Sequence, residues 1–503
     1  MRSRNPLRII MLRSRTLRNA VVLTLGAVIG CTGGTEPARD TSPMAIVSGG
    51  AATGPALTIA PPIVVEIRDA SGHPASGVPV VFSTVTAGEV DLARQSLFVC
   101  ALGSDPCAQY TDQFRFNIRN GATVVTGPDG RASAAVQFGV LAGDATLTIS
   151  VPSMGTSREI TYTTVAGPLA QIVATHDTAV YAGVSYTLHA RAADRIGNPR
   201  TDPVTSTSAT PSVVTVSADN ATAVATGRGR VVLRTGDIVD TAFVSVVPHG
   251  RLVALGRSSA GAPLNKFVLL DTDGSARRVV GEILPNDDNA APVWTPEGAE
   301  IVFQTKAAAD PFGTLAAIDT AGAQRLVFGN GGDFDLAREP AVAALSGRLF
   351  FYGRSRTTGI TGVYSSKLDG SDTAFVAPGA VPGPAPDGQR VALGVDGALH
   401  VRDIATGTET VVATSAMMPA WSPDGANIAY LSSPLGSIRV VAADGSADRL
   451  LAQGFYASLS WSPDGKWLAA SRYNGGVDII DVANAVVLPV WTTTDLKQFA
   501  WRP

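Results

Sequence analysis

A five-residue turn pattern recurs through the second half of the chain and limits what that half can fold into. Residues 421–425 and 461–465 both read Trp-Ser-Pro-Asp-Gly, and residues 294–298 read Trp-Thr-Pro-Glu-Gly. Two degenerate copies lie at 384–388 and 345–347. The last glycines of the five copies are 37 to 49 residues apart, which is the period of one four-stranded blade in a β-propeller.

The chemistry of this pattern explains why it marks a hairpin. Proline restricts φ in the turn, and Asp-Gly accepts the positive φ that a tight hairpin needs. The repeats also carry a second turn with Asp and Gly, as at 270–274 and 443–445. Two hairpins per repeat predict four antiparallel strands per repeat.

The ends of the repeat region predict how the ring of blades closes. The chain ends with half of a copy at Phe499–Pro503, and the region opens with the other half at His249–Leu255. The last strand should therefore complete the first blade, which removes both exposed sheet edges. Five internal copies and one divided copy predict six blades over residues 248–503, and the predicted fold class is all-β.

Together, the Trp-Ser-Pro-Asp-Gly copies resemble the TolB-like propeller family, and the resemblance covers about half of the chain. TolB itself carries a helical N-terminal domain, whereas other modules precede the repeats here, so its role in colicin import is not implied. Similar propellers also precede the serine hydrolase domain of prolyl oligopeptidases. The Gly-x-Ser-x-Gly turn of such hydrolases does not occur in this sequence.

Two modules ahead of the repeats are predicted to be β-sandwiches, because short alternating runs are separated by turn residues. In residues 45–166, the stretch Asp69–Phe82 and the turn Asp129–Ala132 resemble bacterial Ig-like domains of the invasin/intimin type. In residues 167–247, Ser212–Gly229 resembles group 2 bacterial Ig-like domains. The resemblance implies spacer modules, with sugar or protein binding as the alternative.

Residues 1–31 are predicted to be the signal peptide of a bacterial lipoprotein. A basic stretch precedes the apolar run Ala20–Gly30, which is too short to span a bilayer. The sequence Val-Ile-Gly-Cys that ends at Cys31 resembles a lipobox, which implies lipid attachment to Cys31. An ordinary signal peptide is the alternative. Residues 32–44 are predicted to be a flexible tether, and Thr32 favours the outer membrane of the bacterial cell envelope.

The other two cysteines, Cys100 and Cys107, lie in a stretch (86–121) that looks like an insertion in the first module. In an exported protein, two nearby cysteines usually form a disulfide. The six residues between them include Gly103 and Pro106, which suit a short loop. No histidine lies near enough in the sequence to favour a metal site instead.

The sequence shows no pattern typical of an enzyme or of a cofactor site. Its five histidines are scattered without a zinc motif, and it contains no phosphate loop or dinucleotide fingerprint. A net charge of −3 at pH 7 predicts no binding to nucleic acid. The chain is therefore predicted not to be an enzyme, with a lyase or hydrolase that uses the propeller channel as the alternative.

A propeller usually binds its partners on one face, where loops converge on the channel. The loops ahead of each tryptophan carry the candidate residues, which are Asp287, Asp288, Asp333, Asp335, Arg338, Glu339, Met417, Phe455, Tyr456 and Asp495. Acidic and aromatic groups suit a protein, peptide or glycan partner, and clustered carboxylates leave open a calcium ion in the channel. The sequence therefore predicts a lipid-anchored envelope protein whose Ig-like stalk presents a binding propeller. Solvated loop tips and a purely structural envelope component are the alternatives.

Overall fold

The computed structural model describes residues 42–84, 97–104, 106–109, 117–257, 264–286, 291–307, 310–328, 332–434, 436–491 and 495–503. Their regular structure is β-strand apart from a short 3-10 helix at Pro152–Met154, so the predicted all-β class is confirmed. Among these residues, no helix has the length and apolar character that crossing a membrane requires. Cys31, the predicted signal peptide and most of the predicted tether lie outside them.

Residues 251–501 form six four-stranded antiparallel sheets. The first sheet joins both ends of this region, in the order Arg278–Asn286, Leu264–Asp271, Arg251–Arg257 and Leu496–Trp501. The second and third sheets contain Val293–Trp294, Glu300–Ala307, Asp310–Asp319 and Gln324–Leu326, then Phe334–Val342, Leu349–Ser355, Thr361–Ser366 and Ala374–Ala377. The fourth contains Ala380–Pro384, Arg390–Val395, Ala398–Asp403 and Glu409–Thr414. The fifth and sixth contain Ala416–Trp421, Asn427–Ser432, Ser437–Ala442 and Arg449–Ala452, then Tyr456–Trp461, Trp467–Arg472, Val477–Asp481 and Val486–Trp491.

The six sheets are arranged in a ring, which we call the sheet ring. One strand of each sheet contacts its counterpart in the next sheet, and the strand of the sixth sheet contacts that of the first. We call these the inner strands, and they are Leu496–Trp501, Val293–Trp294, Phe334–Val342, Ala380–Pro384, Ala416–Trp421 and Tyr456–Trp461. Apolar side chains of adjacent sheets are buried together where the two sheets meet.

The repeated turn follows the inner strand and links it to the second strand of the same sheet. In the fifth sheet, the Ser422 hydroxyl donates to Asp424 at 2.5 Å and accepts from the amide of Asn427 at 2.9 Å. Gly425 has a φ of +69°, which favours glycine. The tryptophan then joins neighbouring sheets, since Nε1 of Trp461 donates to the carbonyl of Ala420 at 2.9 Å. The turn pattern therefore shapes both the hairpin and the contact between sheets.

The C-terminal residues connect the first sheet to the sheets on either side of it. Trp501 pairs with Leu252 in the first sheet, and the amide of Trp501 donates to the hydroxyl of Ser460 in the sixth sheet at 2.8 Å. Arg502 extends towards the second sheet, where its guanidinium lies 5.3 Å from the ring centroid of Trp294. The first sheet is thus connected to both of its neighbours through the last residues of the chain.

Residues 44–165 form two sheets that enclose one core. One sheet has the order Met44–Ser48, Ile59–Ile67, Arg131–Phe138 and Leu97–Ala101, and the other has the order Thr53–Pro55, Thr156–Val165, Gly143–Val151, Pro79–Ser83 and Gly121–Val125. A further short pair is formed by Ala108–Gln109 and Asn117–Ile118. Val65 from the first sheet and Phe82 and Leu147 from the second are buried in the same cluster. We call this unit the first sandwich.

The stretch expected to be an insertion contributes a strand to the first sandwich. Leu97–Ala101 pairs with Arg131–Phe138 along its length, so it completes one sheet. The predicted disulfide is present, because Cys100 and Cys107 are bonded. Both cysteines are buried beside Phe98 and Val140.

Removing this disulfide is expected to destabilise the first sandwich. For a loop of this length, chain entropy alone predicts a loss of about 2.5 kcal/mol in the free energy of unfolding for Cys100→Ala/Cys107→Ala. Urea unfolding followed by circular dichroism measures the loss, with Cys31→Ser as a control that should unfold like the wild type. A wild type that keeps its full stability in excess reductant would contradict the prediction.

Residues 169–246 form a second sandwich between the first sandwich and the ring. Its strands are grouped as Leu169–Val173 with Arg191–Asp194, then Thr178–Val180, Ile238–Val246, Gly227–Thr235 and Thr205–Ser208, then Ser185–Thr187, Asn220–Ala223 and Val214–Ser217. This unit packs against the sheet ring, since the phenol group of Tyr181 stacks on the imidazole of His249 with centroids 4.0 Å apart. The Tyr181 hydroxyl also lies 3.2 Å from the hydroxyl oxygen of Thr272 in the first sheet.

A buried carboxylate lies at the junction of the two sandwiches. Asp194 is 1% exposed and accepts hydrogen bonds from the amide of Gly167 at 2.8 Å and from the side chain of Asn198 at 2.8 Å. The Asn198 side chain also donates to the carbonyl of Val140 at 2.9 Å and accepts from the amide of Ala142 at 2.8 Å. Asp194 and Asn198 therefore connect the linker between the modules to both sandwiches.

Candidate functional site

The inner strands begin on one face of the sheet ring. The amides of Arg257, Arg356 and Tyr473, each at the end of a second strand, donate to carbonyls just ahead of an inner strand. The accepting residues are Asp495 at 3.1 Å, Asp333 at 2.7 Å and Phe455 at 2.9 Å. Asp333, Phe455 and Asp495 thus occupy equivalent positions in three different sheets. We call this side of the ring the front face, and the side that carries the repeated turns the back face.

Five other predicted residues lie in inner strands and not in the loops ahead of them. Asp335, Arg338 and Glu339 belong to the inner strand of the third sheet, and Met417 and Tyr456 belong to those of the fifth and sixth. They were predicted to be loop residues, but the inner strands begin several residues ahead of the tryptophan position. Asp287 and Asp288 lie outside the described residues.

A backbone kink recurs within, or just ahead of, five of the inner strands. Positive φ values between 41° and 55° occur at Ala291, Glu339, Val381, Met418 and Gln498, and register shifts accompany the kink in several sheets. Such bulges redirect side chains and are frequent beside binding sites. Four of them are linked in two pairs between sheets, since Glu339 accepts from the amide of Val381 at 3.0 Å and Gln498 accepts from the amide of Ala291 at 2.9 Å. These five residues share no side-chain type, so the kink has no signature in the sequence.

The charged residues predicted in the third sheet have partners within the protein. Arg354 donates to Asp335 at 2.8 Å, and this hydrogen bond holds the pKa of the Asp335 carboxyl below its usual value. The guanidinium of Arg338 lies 4.9 Å from the ring centroid of Tyr352 and 3.9 Å from the carboxylate of Glu339. These contacts favour a structural role for the three predicted residues.

No cation site is recognisable in the part of the chain that the structure describes. There, no three His, Cys, Asp or Glu side chains are grouped in a way that could hold a metal ion. Calcium in the channel, for which Asp287 and Asp288 were among the candidate ligands, stays a prediction.

Apolar side chains are exposed at the front face. Phe455 is 64% exposed and Met417 is 42% exposed. Tyr473, which was not singled out from the sequence, is 69% exposed and is joined to Phe455 through the backbone hydrogen bond. Exposed aromatic side chains are common in contact surfaces.

Tyr456 has a different role, because it supports a buried ion pair. Its hydroxyl donates to Asp478 at 2.8 Å, and the same carboxylate accepts from Nε of Arg472 at 3.0 Å and from its Nη2. Asp478 is 2% exposed. Burial and the nearby carboxylate raise the pKa of Tyr456, so its hydroxyl stays protonated at neutral pH. This network holds the Arg472 guanidinium in place.

A cavity of about 510 Å³ opens where the sixth sheet meets the first. Polar and cationic side chains dominate its lining, which consists of Arg257, Ala457, Ser471, Arg472, Tyr473, Asn474, Lys497 and Gln498. Among these described lining residues there is no carboxylate, imidazole or thiol. The three cationic side chains suit binding of an anionic group. None of the lining residues was predicted. Two predicted residues are next to the lining, since Tyr456 precedes Ala457 in the chain and the carbonyl of Asp495 accepts from the amide of Arg257.

Comparisons with known proteins find only remote similarity. No family model and no curated protein matches the chain. Among solved structures, TolB from Acinetobacter baumannii is 17% identical, with 61% of this chain and 84% of that chain covered and a TM-score of 0.42. A structure of the nidogen/laminin complex is 11% identical, covering 50% and 99% of the two chains with a TM-score of 0.40. Kuenenia stuttgartiensis hydrazine synthase is 11% identical, covering 51% and 47% with a TM-score of 0.38. The names of these proteins differ widely, and at such values none of them assigns an activity or a partner to this chain.

Proposed function

We propose that this chain is a non-catalytic binding protein of the bacterial cell envelope. Residues 248–503 act as a closed six-bladed propeller whose front face binds a surface protein or glycan. Two Ig-like modules, 45–166 and 167–247, act as a stalk, and a lipid on Cys31 anchors them, with the outer membrane as the expected location. The sheet arrangement and the stacked contact between the second sandwich and the ring support this proposal.

The observation that carries the proposal is the exposed aromatic and cationic character of the front face. Phe455 and Tyr473 expose most of their surface beside a cavity lined by Arg257, Arg472 and Lys497. Apolar surface of this kind is costly to leave in water unless a partner covers it. A purely structural component would not need such a surface on one side of the ring.

Cross-linking from single positions tests whether the front face binds a partner. In Phe455→Cys, the new thiol is labelled with a maleimide photo-crosslinker and irradiated in envelope extract. Leu345→Cys is the matched control, because Leu345 is a 77% exposed apolar residue in a turn at the back face. We expect a saturable adduct from position 455 and none from position 345. Identical adducts from both positions, or none from either, would contradict the proposal.

The anchor is tested separately by metabolic labelling with palmitate. The wild type should incorporate the label and fractionate with membranes, and Cys31→Ala should lose both properties, because the thioether-linked lipid has no other attachment point in this proposal. Label that persists in Cys31→Ala would exclude attachment at this residue.

A further inference from the structure

We propose that one face of the second sandwich binds a linear acidic polysaccharide, whose carboxylates are held by Arg230 and Arg234. The proposed function gives the sandwiches the role of a stalk, so this inference adds a binding surface that does not depend on the front face. The surface is the solvent side of the sheet that contains Ile238–Val246, Gly227–Thr235 and Thr205–Ser208. We call it the arginine face.

Alternation along the central strand of this surface places its arginines in solvent. Val231 and Leu233 are buried in the core of the sandwich, whereas Arg228, Arg230 and Arg234 are exposed. Successive side chains of a strand point to opposite faces, so the three arginines share one face. Arg230 and Arg234 are four residues apart, which is about 13 Å along a strand. They therefore form a row that follows the strand.

The guanidinium groups of Arg230 and Arg234 are available to a ligand. Within the described residues, neither side chain takes part in a hydrogen bond, an ion pair or a ring contact. Their backbone groups are used instead, as where the amide of Arg230 donates to the hydroxyl of Thr210 at 2.8 Å. Arg228 differs, because its guanidinium lies 4.5 Å from the ring centroid of Phe243. It is therefore not assigned to the ligand.

The charge of the two arginines is not offset by acids across the strand ladder. The residues opposite them on the neighbouring strands are uncharged, and they are Thr205, Val239 and Phe243. Asp240 is opposite the buried Leu233, so it does not share the arginine face, and its carboxylate lies 3.3 Å from the imidazole of His176. Two uncompensated cations in a row complement a chain of negative charges. Charge-assisted hydrogen bonds from such groups are about twice as strong as neutral ones.

The side chains around the arginines suit a sugar polymer. Thr205 and Thr207 are exposed on the outermost strand of the sheet, and their hydroxyls can both donate to and accept from sugar hydroxyls. Val239, on the other side of Arg234, is 49% exposed and offers apolar contact to the C–H groups of a sugar ring. Hydroxyl, cationic and apolar groups thus lie side by side on one open sheet surface.

A nucleic acid or a membrane fits the arginine face less well. Single strands of nucleic acid are held by stacking of bases on aromatic rings, and Phe243 is already covered by Arg228. Binding to a bilayer surface grows with the apolar area that is buried in it. On the described arginine face, Val239 is the largest apolar side chain that is exposed, so this area is small.

Titration calorimetry with four probes tests the ligand class. The full chain is used with Cys31→Ser, so that a lipid anchor adds no affinity for vesicles. The probes are hexagalacturonic acid, the neutral sugar maltohexaose, the oligonucleotide hexathymidylate and vesicles of phosphatidylglycerol. We expect hexagalacturonic acid to bind, with an affinity that falls as salt is raised, and the other probes to bind at least about tenfold more weakly.

Three results would overturn the saccharide assignment. The first is no binding of hexagalacturonic acid, and the second is equal binding of maltohexaose. The third is equal or tighter binding of hexathymidylate or of the vesicles, which would assign the arginine face to a nucleic acid or to a membrane.

Variants identify the site of binding. Arg230→Gln/Arg234→Gln should weaken hexagalacturonic acid binding about tenfold, since it removes hydrogen bonds to charged groups. Arg191→Gln is the matched control, because Arg191 is an exposed arginine in a different sheet of the same sandwich. Equal loss in Arg191→Gln would reveal general charge attraction, and unchanged binding in the double variant would place the polymer elsewhere; either result would reject the arginine face.

The double variant should keep the unfolding temperature of the wild type, because neither arginine side chain has a partner among the described residues. A loss of binding can then be read as a loss of ligand contacts. The cross-link from position 455 and these titrations report on different surfaces, so failure of one leaves the other proposal standing.

Discussion

Replacing Trp501 with alanine is expected to lower the free energy of unfolding of the sheet ring by about 3 to 5 kcal/mol, the usual cost of truncating a large buried aromatic side chain. Trp501 is 6% exposed and packs in a cluster with residues of the first and sixth sheets. The close approach of Gly250 shows how tightly this site is filled, because a Cβ there would lie 2.7 Å from the indole. Little room exists for neighbours to collapse into the space.

The effect of Trp501→Ala should extend beyond the lost contacts, because this residue ends the strand that closes the ring. Without firm packing of Leu496–Trp501, the strand Arg251–Arg257 becomes a sheet edge, and exposed edges invite association with other chains. The variant is therefore expected to show faster amide exchange in Arg251–Arg257 as well as a lower unfolding temperature.

Calorimetry of the full chain measures the loss, and hydrogen exchange locates it. Phe455→Ala is the control, since it truncates an aromatic side chain that is 64% exposed and should change stability by no more than about 0.5 kcal/mol. If Trp501→Ala has the same unfolding temperature as Phe455→Ala and the same amide protection in Arg251–Arg257, the closing strand does not hold the sheet ring together.

The sheet ring is the part of the fold that the sequence predicts best, and the physical reason is local. In the repeated turn, Ser422, Asp424 and Gly425 make their hydrogen bonds and adopt their backbone conformation within six residues. Interactions of this kind are visible as a motif. The pairing of Leu252 with Trp501 was also predictable, because each end of the region carries half of one motif.

The cavity could not be predicted in the same way, because its residues come from separate strands. Arg257 ends a strand of the first sheet, Lys497 belongs to another strand of that sheet, and Arg472 lies in the sixth. No spacing relates them, and their proximity is a consequence of ring closure. The acids at Asp335 and Glu339 were visible in the sequence, but their pairing with Arg354 and the amide of Val381 was not.

The strand Leu97–Ala101 also could not be predicted from the sequence pattern. It lies in a stretch that departs from the Ig-like pattern and was therefore expected to be an insertion. Its residues are apolar, and four of the five are buried, so burial against Arg131–Phe138 determines its structure. Tertiary pairing decides the conformation of a short apolar run that sequence alone leaves open.

Replacing Asp194 with alanine is expected to destabilise the second sandwich by at least about 3 kcal/mol, because hydrogen bonds to a buried charge contribute more than neutral ones and unpaired buried donors are costly. In addition to Gly167 and Asn198, the amides of Ile196 and Gly197 donate to this carboxylate at 2.9 and 3.0 Å. Alanine leaves all of these donors without their acceptor. The linker and the contact of Asn198 with Val140 should loosen together.

The contribution of Asp194 should depend on pH in a defined direction. Burial alone would raise its pKa, but hydrogen bonds from Asn198 and from the amide of Gly167 outweigh burial and lower the pKa. The folded state therefore binds this proton more weakly than the unfolded state, whose Asp pKa is about 3.9. The stability that Asp194 provides is complete above about pH 5 and is lost as the pH falls through the unfolded value towards the lowered folded one.

Urea unfolding of the full chain at several pH values tests this prediction with Asp194→Asn, which keeps the shape and removes the charge. The advantage of the wild type over this variant should be constant from about pH 5 to 8 and shrink below that range. Asp202→Ala is the control, because Asp202 pairs with Arg200 at 2.6 Å with both side chains partly exposed, and such pairs contribute about 1 kcal/mol or less. Since Asp194 connects the linker to Asn198, its loss should also broaden the distribution of distances between labels on the two sandwiches. A distribution identical to that of Asp202→Ala would mean that the junction is held by other contacts.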